Sequence, residues 1–299
     1  MKGTKAARPG SKKKATAVAG AGAASATAGH SDAVMGLAWN KTARQLLASS
    51  SADTTCKLWD INTASVLHTF SHHRGKVSSV AWHPVEASIL ATASYDRTLS
   101  TLDAREGSAS RVGRYALPAD PECMLWNMHS PAQLIASTED GSVTAYDVRS
   151  PDRPLWTVKA HTGAASGVSL SSLAPGMMAT CGIDKCVKVW DIASPSGTAP
   201  VCIASKGMSI GQIFTVSFFA QSPFLLAAGG SKGMVAVWDV ASDAGEVTPA
   251  AAAAAAREGV AATSEHSLTA QRFVSRIPAD PSTIPGFGLR PRADGQPLA

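Results

Sequence analysis

An internal repeat is the feature of this sequence that most constrains its fold. The chain carries five dipeptides that end in aspartate and follow one another at nearly constant distance. Their aspartates are separated by 43, 44, 44 and 48 residues, and the dipeptides are Trp59-Asp60, Leu102-Asp103, Tyr146-Asp147, Trp190-Asp191 and Trp238-Asp239. A period of about 40 to 50 residues is typical of repeat architectures in which each unit is one supersecondary element. The sequence therefore predicts five copies of one structural unit.

Further positions recur at fixed offsets inside each unit. Seven residues before the dipeptide aspartate, four units carry another aspartate and the fifth carries Lys232. A bulky apolar residue precedes this turn position by 14 residues in every unit. The turn aspartates are Asp53, Asp96, Asp140 and Asp184, and the apolar residues are Trp39, Trp82, Trp126, Leu170 and Phe218. Variation in length is therefore confined to the segment that follows each dipeptide.

The local composition of the units favours antiparallel strands. Short β-prone runs at 55–58, 143–146, 187–190 and 235–238 alternate with turn-forming Ser, Gly, Asp and Pro. Constant strand spacing within a unit and variable loops between units suit four-stranded blades repeated around an axis. We therefore predict an all-β fold, a β-propeller with five recognisable blades. The recurrent bulky residue is expected to pack between neighbouring blades, because a blade cannot bury both of its faces alone.

Three units share a set of polar residues at identical spacing. A histidine lies 23 residues before the turn aspartate, and a hydroxyl residue lies four residues before it. The sets are His30, Ser49 and Asp53; His73, Thr92 and Asp96; and His161, Thr180 and Asp184. The third and fifth units lack both the histidine and the hydroxyl. Joint retention and joint loss indicate that each group satisfies the other's polar atoms inside the blade.

The same three residue types can form a nucleophile, a base and an orienting acid in an enzyme. An active site needs one such set, whereas this set recurs at identical offsets in three units. The recurrence favours a structural network, so we predict no enzymatic activity and no small-molecule substrate. Cys181 and Cys186 lack the spacing of about two to four residues found in structural zinc pairs. No Gly-rich phosphate loop leads into a helix either, so no metal or cofactor is expected.

The basic residues of the chain are concentrated at one end. Residues 1–29 contain six basic and no acidic side chains, whereas residues 30–240 have 16 of each. A neutral repeat region lacks the basic stripe of a nucleic-acid-binding surface, so RNA is expected to bind at most through the basic tail. We predict disordered low-complexity tails at 1–28 and 243–299 around a propeller at 29–242. The sequence contains no run of about 18 apolar residues, which is the length that a membrane-spanning helix requires.

The basic, Ala-rich start leaves several targeting interpretations open. A signal peptide is disfavoured because its apolar part would contain Val18 and no Leu, Ile or Phe. An organelle transit peptide fits the absence of acids, and the cluster Lys12–Lys14 could serve nuclear import. Five cysteines without framework spacing favour a reducing compartment.

The units resemble WD repeats. Gly29-His30, the turn Asp53 and Trp59-Asp60 form the full signature of that family. In WD repeats the turn aspartate, the histidine, a hydroxyl and the tryptophan make a hydrogen-bonded tetrad. The resemblance therefore implies that Trp59 and Trp190 complete the networks of the first and fourth units.

Several sequence segments outside the generic WD signature resemble those of the periodic tryptophan proteins, a ribosome-biogenesis group of WD-repeat proteins. They lie at residues 29–40, 81–84, 94–96, 119–126, 137–149 and 222–233, so the likeness covers about residues 29–240. It implies a scaffold of the nucleus and nucleolus without catalytic residues. Such a scaffold binds ribosome-assembly proteins and supports large-subunit assembly and precursor rRNA processing.

The resemblance also implies about seven blades, with the last blade completed by a strand from the other end of the chain. Residues 1–29 contain no good candidate for that strand, so we expect an incomplete, open or imperfectly closed ring. Tyr95 and Glu139 directly precede turn aspartates, on the face where the Gly-His loops lie. These two residues are our candidates for partner contacts.

An alternative function is that of a substrate receptor of a cullin-type ubiquitin ligase. Such receptors carry an arginine two residues after a terminal Trp-Asp. Arg105 and Arg149 hold this position in the second and third units, although the tryptophan is replaced there by Leu102 and Tyr146. Both arginines are therefore candidate partner contacts in this second interpretation.

Overall fold

A computed structural model describes residues 29–107, 113–193, 199–243, 246–247, 273 and 276–277. In this part of the chain, twenty strands form five antiparallel sheets. The predicted all-β propeller with five blades is confirmed. The first strands of successive sheets contact one another, β1 with β5, β5 with β9, β9 with β13 and β13 with β17. They therefore lie nearest the common axis.

The first two blades each contain four strands in chain order, from the axis outwards. Blade 1 comprises β1 (Val34–Trp39), β2 (Leu46–Ser51), β3 (Cys56–Asp60) and β4 (Ser65–Phe70). Blade 2 comprises β5 (Val77–Trp82), β6 (Ile89–Ser94), β7 (Thr98–Asp103) and β8 (Gly113–Ala116). Their first strands carry the same register shift, between Val34 and Gly36 and between Val77 and Ser79.

The remaining blades follow the same plan with one exception. Blade 3 comprises β9 (Pro121–Trp126), β10 (Gln133–Thr138), β11 (Ser142–Asp147) and β12 (Trp156–Lys159). Blade 4 comprises β13 (Gly167–Leu170), β14 (Met177–Cys181), β15 (Cys186–Asp191) and β16 (Val201–Gly207). Within the described residues, blade 5 comprises three strands, β17 (Ile213–Phe218), β18 (Leu225–Gly230) and β19 (Val235–Asp239). The last strand, β20 (Glu246–Val247), pairs with β16 and extends blade 4 instead.

A tight turn joins the second and third strands of every blade. The residue after the turn aspartate or Lys232 has a positive φ in all five blades, and it is Thr54, Arg97, Gly141, Lys185 or Gly233. A side chain at Gly141 would also collide with the backbone oxygens of His161 and Gly163. The carboxylates of Asp53 and Asp140 accept the N–H two residues further on and so stabilise the turn.

The core consists of four apolar clusters, and each cluster lies between two successive blades. Ala48, Leu58 and Phe70 of blade 1 meet Val80 and Leu90 of blade 2. Equivalent clusters join blades 2 and 3, blades 3 and 4, and blades 4 and 5. Burying one large apolar side chain contributes about 1.5 to 3 kcal/mol, so the stability of each blade depends on its neighbours.

The ends of the arc do not meet in the described residues. No strand of blade 5 makes an extensive contact with blade 1. Large apolar side chains are exposed at both ends, among them Leu37 and Trp39 in blade 1 and Val235 and Val237 in blade 5. The five blades therefore form an open arc.

The chain returns to the core after β20. Sequence analysis placed Phe273 in a low-complexity tail, whereas its ring is fully buried in the cluster between blades 4 and 5. Nearby, the Arg276 guanidinium donates to both oxygens of the buried Asp191, at 2.7 and 3.2 Å. Arg276 also lies over the Phe273 ring. These contacts attach Phe273 and Arg276 to blade 4.

Candidate functional site

The polar set of blade 1 forms one hydrogen-bonded chain. His30 Nδ1 lies 2.9 Å from Asp53 Oδ2, and His30 Nε2 lies 2.7 Å from Ser49 Oγ. Trp59 Nε1 donates to the same Ser49 Oγ at 2.7 Å. Since a carboxylate only accepts, His30 donates to Asp53 from Nδ1, and in the tautomer with its single proton on that nitrogen Nε2 accepts from the serine hydroxyl. Hydrogen bonds thus join all four residues, from the turn between β2 and β3 to the third strand of the blade.

Blade 4 repeats this arrangement, and blade 2 repeats it without the tryptophan. In blade 4, His161 lies 3.0 Å from Asp184 and 2.8 Å from Thr180 Oγ1, which also accepts from Trp190 Nε1 at 2.9 Å. In blade 2, His73 lies 3.1 Å from Asp96 and 2.8 Å from Thr92 Oγ1. His72 Nε2 lies 3.2 Å from the same hydroxyl, and the position equivalent to Trp59 and Trp190 is Leu102 in this blade.

These networks have the connectivity of a Ser-His-Asp triad but not its accessibility. The hydroxyl residues Ser49, Thr92 and Thr180 are buried. In blades 1 and 4 each hydroxyl oxygen also accepts a tryptophan N–H. A nucleophile must be free to approach a substrate atom, and these oxygens are enclosed by their own blades. The arrangement joins the second and third strands of a blade to the histidine and the turn aspartate.

The turn carboxylates are held in their charged form. Burial raises the pKa of Asp96, but hydrogen bonds from Thr98, the Arg74 N–H and His73 outweigh it and lower the pKa to about 2. Asp53 behaves likewise, because donors from Thr55, Ser31 and His30 overcome the effect of burial and hold its pKa far below the usual value. Ionised carboxylates are strong acceptors, so these turns are stabilised above acidic pH.

The histidine of blade 4 is held in its neutral form. Burial lowers the pKa of His161 despite the opposing attraction of Asp184. A neutral imidazole can accept the Thr180 hydroxyl proton while it donates to Asp184. The protonation states of histidine and aspartate therefore match the hydrogen-bond directions.

The blades without histidine keep the turn by other contacts. In blade 3, Asp140 accepts from Thr138 Oγ1 at 2.6 Å and from Ser142 Oγ at 2.8 Å. In blade 5, Lys232 Nζ donates to the Ser209 backbone oxygen at 3.1 Å. The hydroxyl position is Ala in both blades, so no polar group is left there without its histidine.

A second set of contacts, which sequence analysis did not predict, joins neighbouring blades at their lower face. The lower face is the one at which the first and third strands end. In blades 1, 2 and 4 the residue after the recurrent bulky side chain donates to a carbonyl of the next blade, whereas in blade 3 His129 Nε2 donates to Ser171 O at 2.8 Å. The pairs are Asn40 Nδ2 to Ala87 O, His83 Nε2 to Pro131 O and Ser171 Oγ to Pro223 O, at 2.7, 3.0 and 3.1 Å. A recurring polar residue after the bulky position was the available signal, and the fifth unit lacks it because it has Phe219.

Tryptophans also connect the blades at this face. Trp82 Nε1 donates to Ala38 O at 3.0 Å, and Trp126 Nε1 donates to Ala81 O at 3.2 Å, in each case to the preceding blade. With Trp39 and His83 they line a cavity of about 460 Å³. Two of these lining residues, His83 and Trp126, make a T-shaped contact with ring centroids 4.7 Å apart.

The candidate contacts Tyr95 and Glu139 lie on the upper face, which is the face at which the second strands end and the third strands begin. Each residue lies beside the turn between these two strands of its blade. Tyr95 is exposed. Burial of its hydroxyl and the nearby charges of Glu122, Asp120 and Glu139 raise the pKa of Tyr95. Burial is the largest cause that raises the pKa of Glu122, and the charges of Glu139 and Asp120 raise it further. We call Tyr95, Asp120, Glu122 and Glu139 the upper acidic surface. It spans blades 2 and 3, and Arg97 pairs with Asp120 at 3.1 Å.

The candidate contacts Arg105 and Arg149 lie at the opposite face. Each arginine follows a third strand and donates through Nε to its own dipeptide aspartate, Asp103 at 3.0 Å and Asp147 at 2.9 Å. The arginine side chains are still about three-quarters exposed. The pair Tyr95 and Glu139 is separated from the pair Arg105 and Arg149 by the length of a strand, which is about 20 Å for six residues. A partner that binds through a small contact area can therefore reach only one of the two pairs.

Within the described ranges, no helix is long and apolar enough to cross a membrane. No cluster of three or more His, Cys, Asp or Glu side chains suited to a metal ion occurs among the same residues. Cys181 lies in β14 and Cys186 lies in β15. Burial raises the pKa of Cys181 to about 11, so this thiol is a poor metal ligand at neutral pH.

We predict that Thr180→Val destabilises the protein by about 1 to 3 kcal/mol. The substitution keeps the side-chain volume but removes the partner of both His161 Nε2 and Trp190 Nε1, which leaves buried polar atoms unpaired. Urea unfolding monitored by circular dichroism measures the difference. The matched control is Thr215→Val, because Thr215 is exposed in β17. A Thr180→Val variant as stable as Thr215→Val would contradict the network.

We also predict that stability falls as the pH decreases, in two stages. The pKa values of His83, His161, Asp53 and Asp96 are lowered in the folded protein. The unfolded chain therefore binds their protons first, and the free energy of unfolding drops with decreasing pH. The histidines act below about pH 6.5 and the aspartates from about pH 4 down to about pH 2. A free energy of unfolding that stays constant from pH 7 to pH 3 in urea titrations would be inconsistent with these contacts.

Comparisons with known proteins agree with the blade geometry. Residues 152–191 match the family described as WD domain, G-beta repeat, and residues 16–85 match the Anaphase-promoting complex subunit 4 WD40 domain. An uncharacterised WD repeat-containing protein of Schizosaccharomyces pombe is 40% identical over 63% of this chain and 36% of its own length. Periodic tryptophan protein 1 of Saccharomyces cerevisiae is 32% identical over 64% of this chain and 35% of its own length.

A further relative bears on the alternative function. The DDB1- and CUL4-associated factor 7 homolog of Dictyostelium discoideum is 29% identical over 52% of this chain and 48% of its own length. This chain spans about a third of the first two relatives and about half of the third. It carries WD repeats that form propeller blades, and it is similar to periodic tryptophan protein 1 over nearly two thirds of its length.

Proposed function

We propose that the protein is a non-enzymatic scaffold for protein–protein interactions in ribosome biogenesis in the nucleus and nucleolus. In this role it supports assembly of the large subunit and processing of precursor rRNA, and its partners are ribosome-assembly proteins. The observation that carries the proposal is the similarity to periodic tryptophan protein 1. The sequence segments outside the generic WD signature that resemble that family support it further.

The histidine, hydroxyl and aspartate groups of the polar networks are hydrogen-bonded to one another inside the blades, which supports a scaffold rather than an enzyme. The potential nucleophiles are buried, and their hydrogen bonds are made within single blades. What the described part of the chain presents to partners is therefore its two faces and its ends. A rigid propeller face that displays loop side chains suits the binding of peptides and domains.

The charge of the upper acidic surface supports a protein partner with basic segments. Tyr95 lies near the carboxylates of Asp120, Glu122 and Glu139. Carboxylates attract Lys and Arg side chains, and an exposed tyrosine ring adds a cation–π contact with them. The same carboxylates repel nucleic-acid phosphates. RNA binding would thus depend on the basic segment at residues 1–28, which lies outside the described residues.

A second candidate function is that of a substrate receptor of a cullin-type ubiquitin ligase. The exposed guanidinium of Arg149 and the similarity to the DDB1- and CUL4-associated factor 7 homolog favour it. Here the contact would lie on the lower face, with Arg105 and Arg149 presented to a ligase adaptor.

The two candidate functions predict opposite results for substitutions on the two faces. In the ribosome interpretation, the tagged full chain sediments with large-subunit precursors, and Tyr95→Ala with Glu139→Lys reduces this fraction about 10-fold or more because charge attraction is reversed. The matched control Arg149→Ala leaves it unchanged. The measurement is immunoblotting of a sucrose gradient from cells that express each variant.

The ligase interpretation predicts the reverse pattern. The protein would co-purify with the ligase adaptor, Arg149→Ala would abolish this association, and the upper-face double variant would retain it. Absence from large-subunit precursors combined with Arg149-dependent adaptor binding would contradict the ribosome proposal.

A further inference from the structure

Two side chains that follow the blades in the sequence contact the interface between blades 4 and 5. Phe273 is fully buried in the apolar cluster that joins these blades, and Ile277 is partly buried against the same cluster. The Arg276 guanidinium lies over the Phe273 ring, 5.5 Å from its centroid. Blades 4 and 5 thus hold an aromatic side chain and an arginine that belong to neither blade.

Arg276 takes a place at blade 4 that an arginine of the blade itself takes elsewhere. In blades 2 and 3, the dipeptide aspartates Asp103 and Asp147 accept from the arginine two residues further on. Blade 4 has Ala193 at this position, and Asp191 accepts instead from Arg276, which lies 85 residues further on. The lower end of β15 therefore receives its guanidinium from a distant part of the chain.

The contact at Asp191 is better shielded from water than its counterparts in blades 2 and 3. The Asp191 side chain is fully buried and the Arg276 side chain is 25% exposed, whereas the arginines of blades 2 and 3 are about three-quarters exposed. Salt and solvent screen a buried ion pair less than an exposed one, and an unpaired buried charge is costly. This carboxylate therefore discriminates between a segment that brings a cation and one that does not.

The geometry at Asp191 favours an arginine over a lysine and couples it to an aromatic ring. Nη1 and Nη2 of Arg276 donate to Oδ1 and Oδ2 of Asp191 at 2.7 and 3.2 Å, a two-point contact that suits the planar fork of a guanidinium. Phe273 fills an apolar space between the blades and lies against the same guanidinium. A ligand with these contacts needs an aromatic residue and, three residues later, an arginine.

We propose that the interface between blades 4 and 5 is a binding site for peptide segments in which an arginine follows an aromatic residue by three positions. Phe273 and Arg276 occupy this site as a ligand within the same chain. A ligand tethered to its own site acts at an effective concentration on the order of millimolar. A partner segment of the same chemistry therefore binds by displacing the internal one. This site is separate from the upper acidic surface, which spans blades 2 and 3.

Fluorescence anisotropy of a labelled synthetic peptide tests the site. The peptide comprises residues 268–281, and the protein is the full chain, either unmodified or with Phe273→Ala and Arg276→Ala together. Because the double variant lacks the internal ligand, we expect it to bind the peptide at least about tenfold more tightly than the unmodified chain does. Circular dichroism and the Tm establish that the double variant is folded.

Substitutions in the peptide test recognition without altering the fold of the protein. Phe273→Ala and Arg276→Lys in the peptide should each weaken binding to the double variant about tenfold or more, because the first removes the buried ring and the second removes the guanidinium fork. Arg272→Lys in the peptide is the matched control, and it should leave the affinity within about twofold because it keeps the charge.

Should the double variant fail to fold, Arg276→Lys in the full chain takes its place, because it keeps Phe273 and the charge and weakens only the internal ligand. The peptide should bind this variant more tightly than it binds the unmodified chain. The proposal is overturned if the folded variant does not bind the peptide at concentrations up to about 1 mM. Equal binding by the variant and the unmodified chain would overturn it too, as would a peptide with Arg276→Lys that binds as tightly as the original.

Discussion

The fold of this protein depends on one constraint, which is that every blade has two apolar faces and can cover neither by itself. The four clusters between successive blades meet this requirement inside the arc. Val80 is buried against blade 1, whereas the equivalent Leu37 is exposed in the part of the chain that the structure describes. The stability of each blade therefore depends on its neighbours.

Polar contacts set the geometry within this apolar framework. The networks of His30, His73 and His161 tie the upper turns to the strands of single blades. The lower-face donors Asn40 and His83 instead tie each blade to the next. Both kinds of contact fix the orientation of the strands and blades that they join.

Much of this architecture could be predicted from the sequence because it repeats. The spacing of the dipeptide aspartates indicated five units, and the joint loss of histidine and hydroxyl in two units indicated that these groups contact each other. The lower-face donors were harder to predict, because Asn40, His83 and Ser171 differ in type and share only their place after a bulky residue. Phe273 could not be predicted, since an aromatic residue in a low-complexity segment carries no periodicity that would locate its partner.

Hydrogen exchange measured by mass spectrometry tests the central constraint most directly. The strands β1, β5 and β9 are equivalent first strands, so their hydrogen bonding is alike and only the covering of their faces differs. Local opening is easier where fewer apolar contacts must be broken. We therefore expect the amides of β1 to exchange at least about tenfold faster than those of β5 and β9. Equal protection of all three strands would contradict the account.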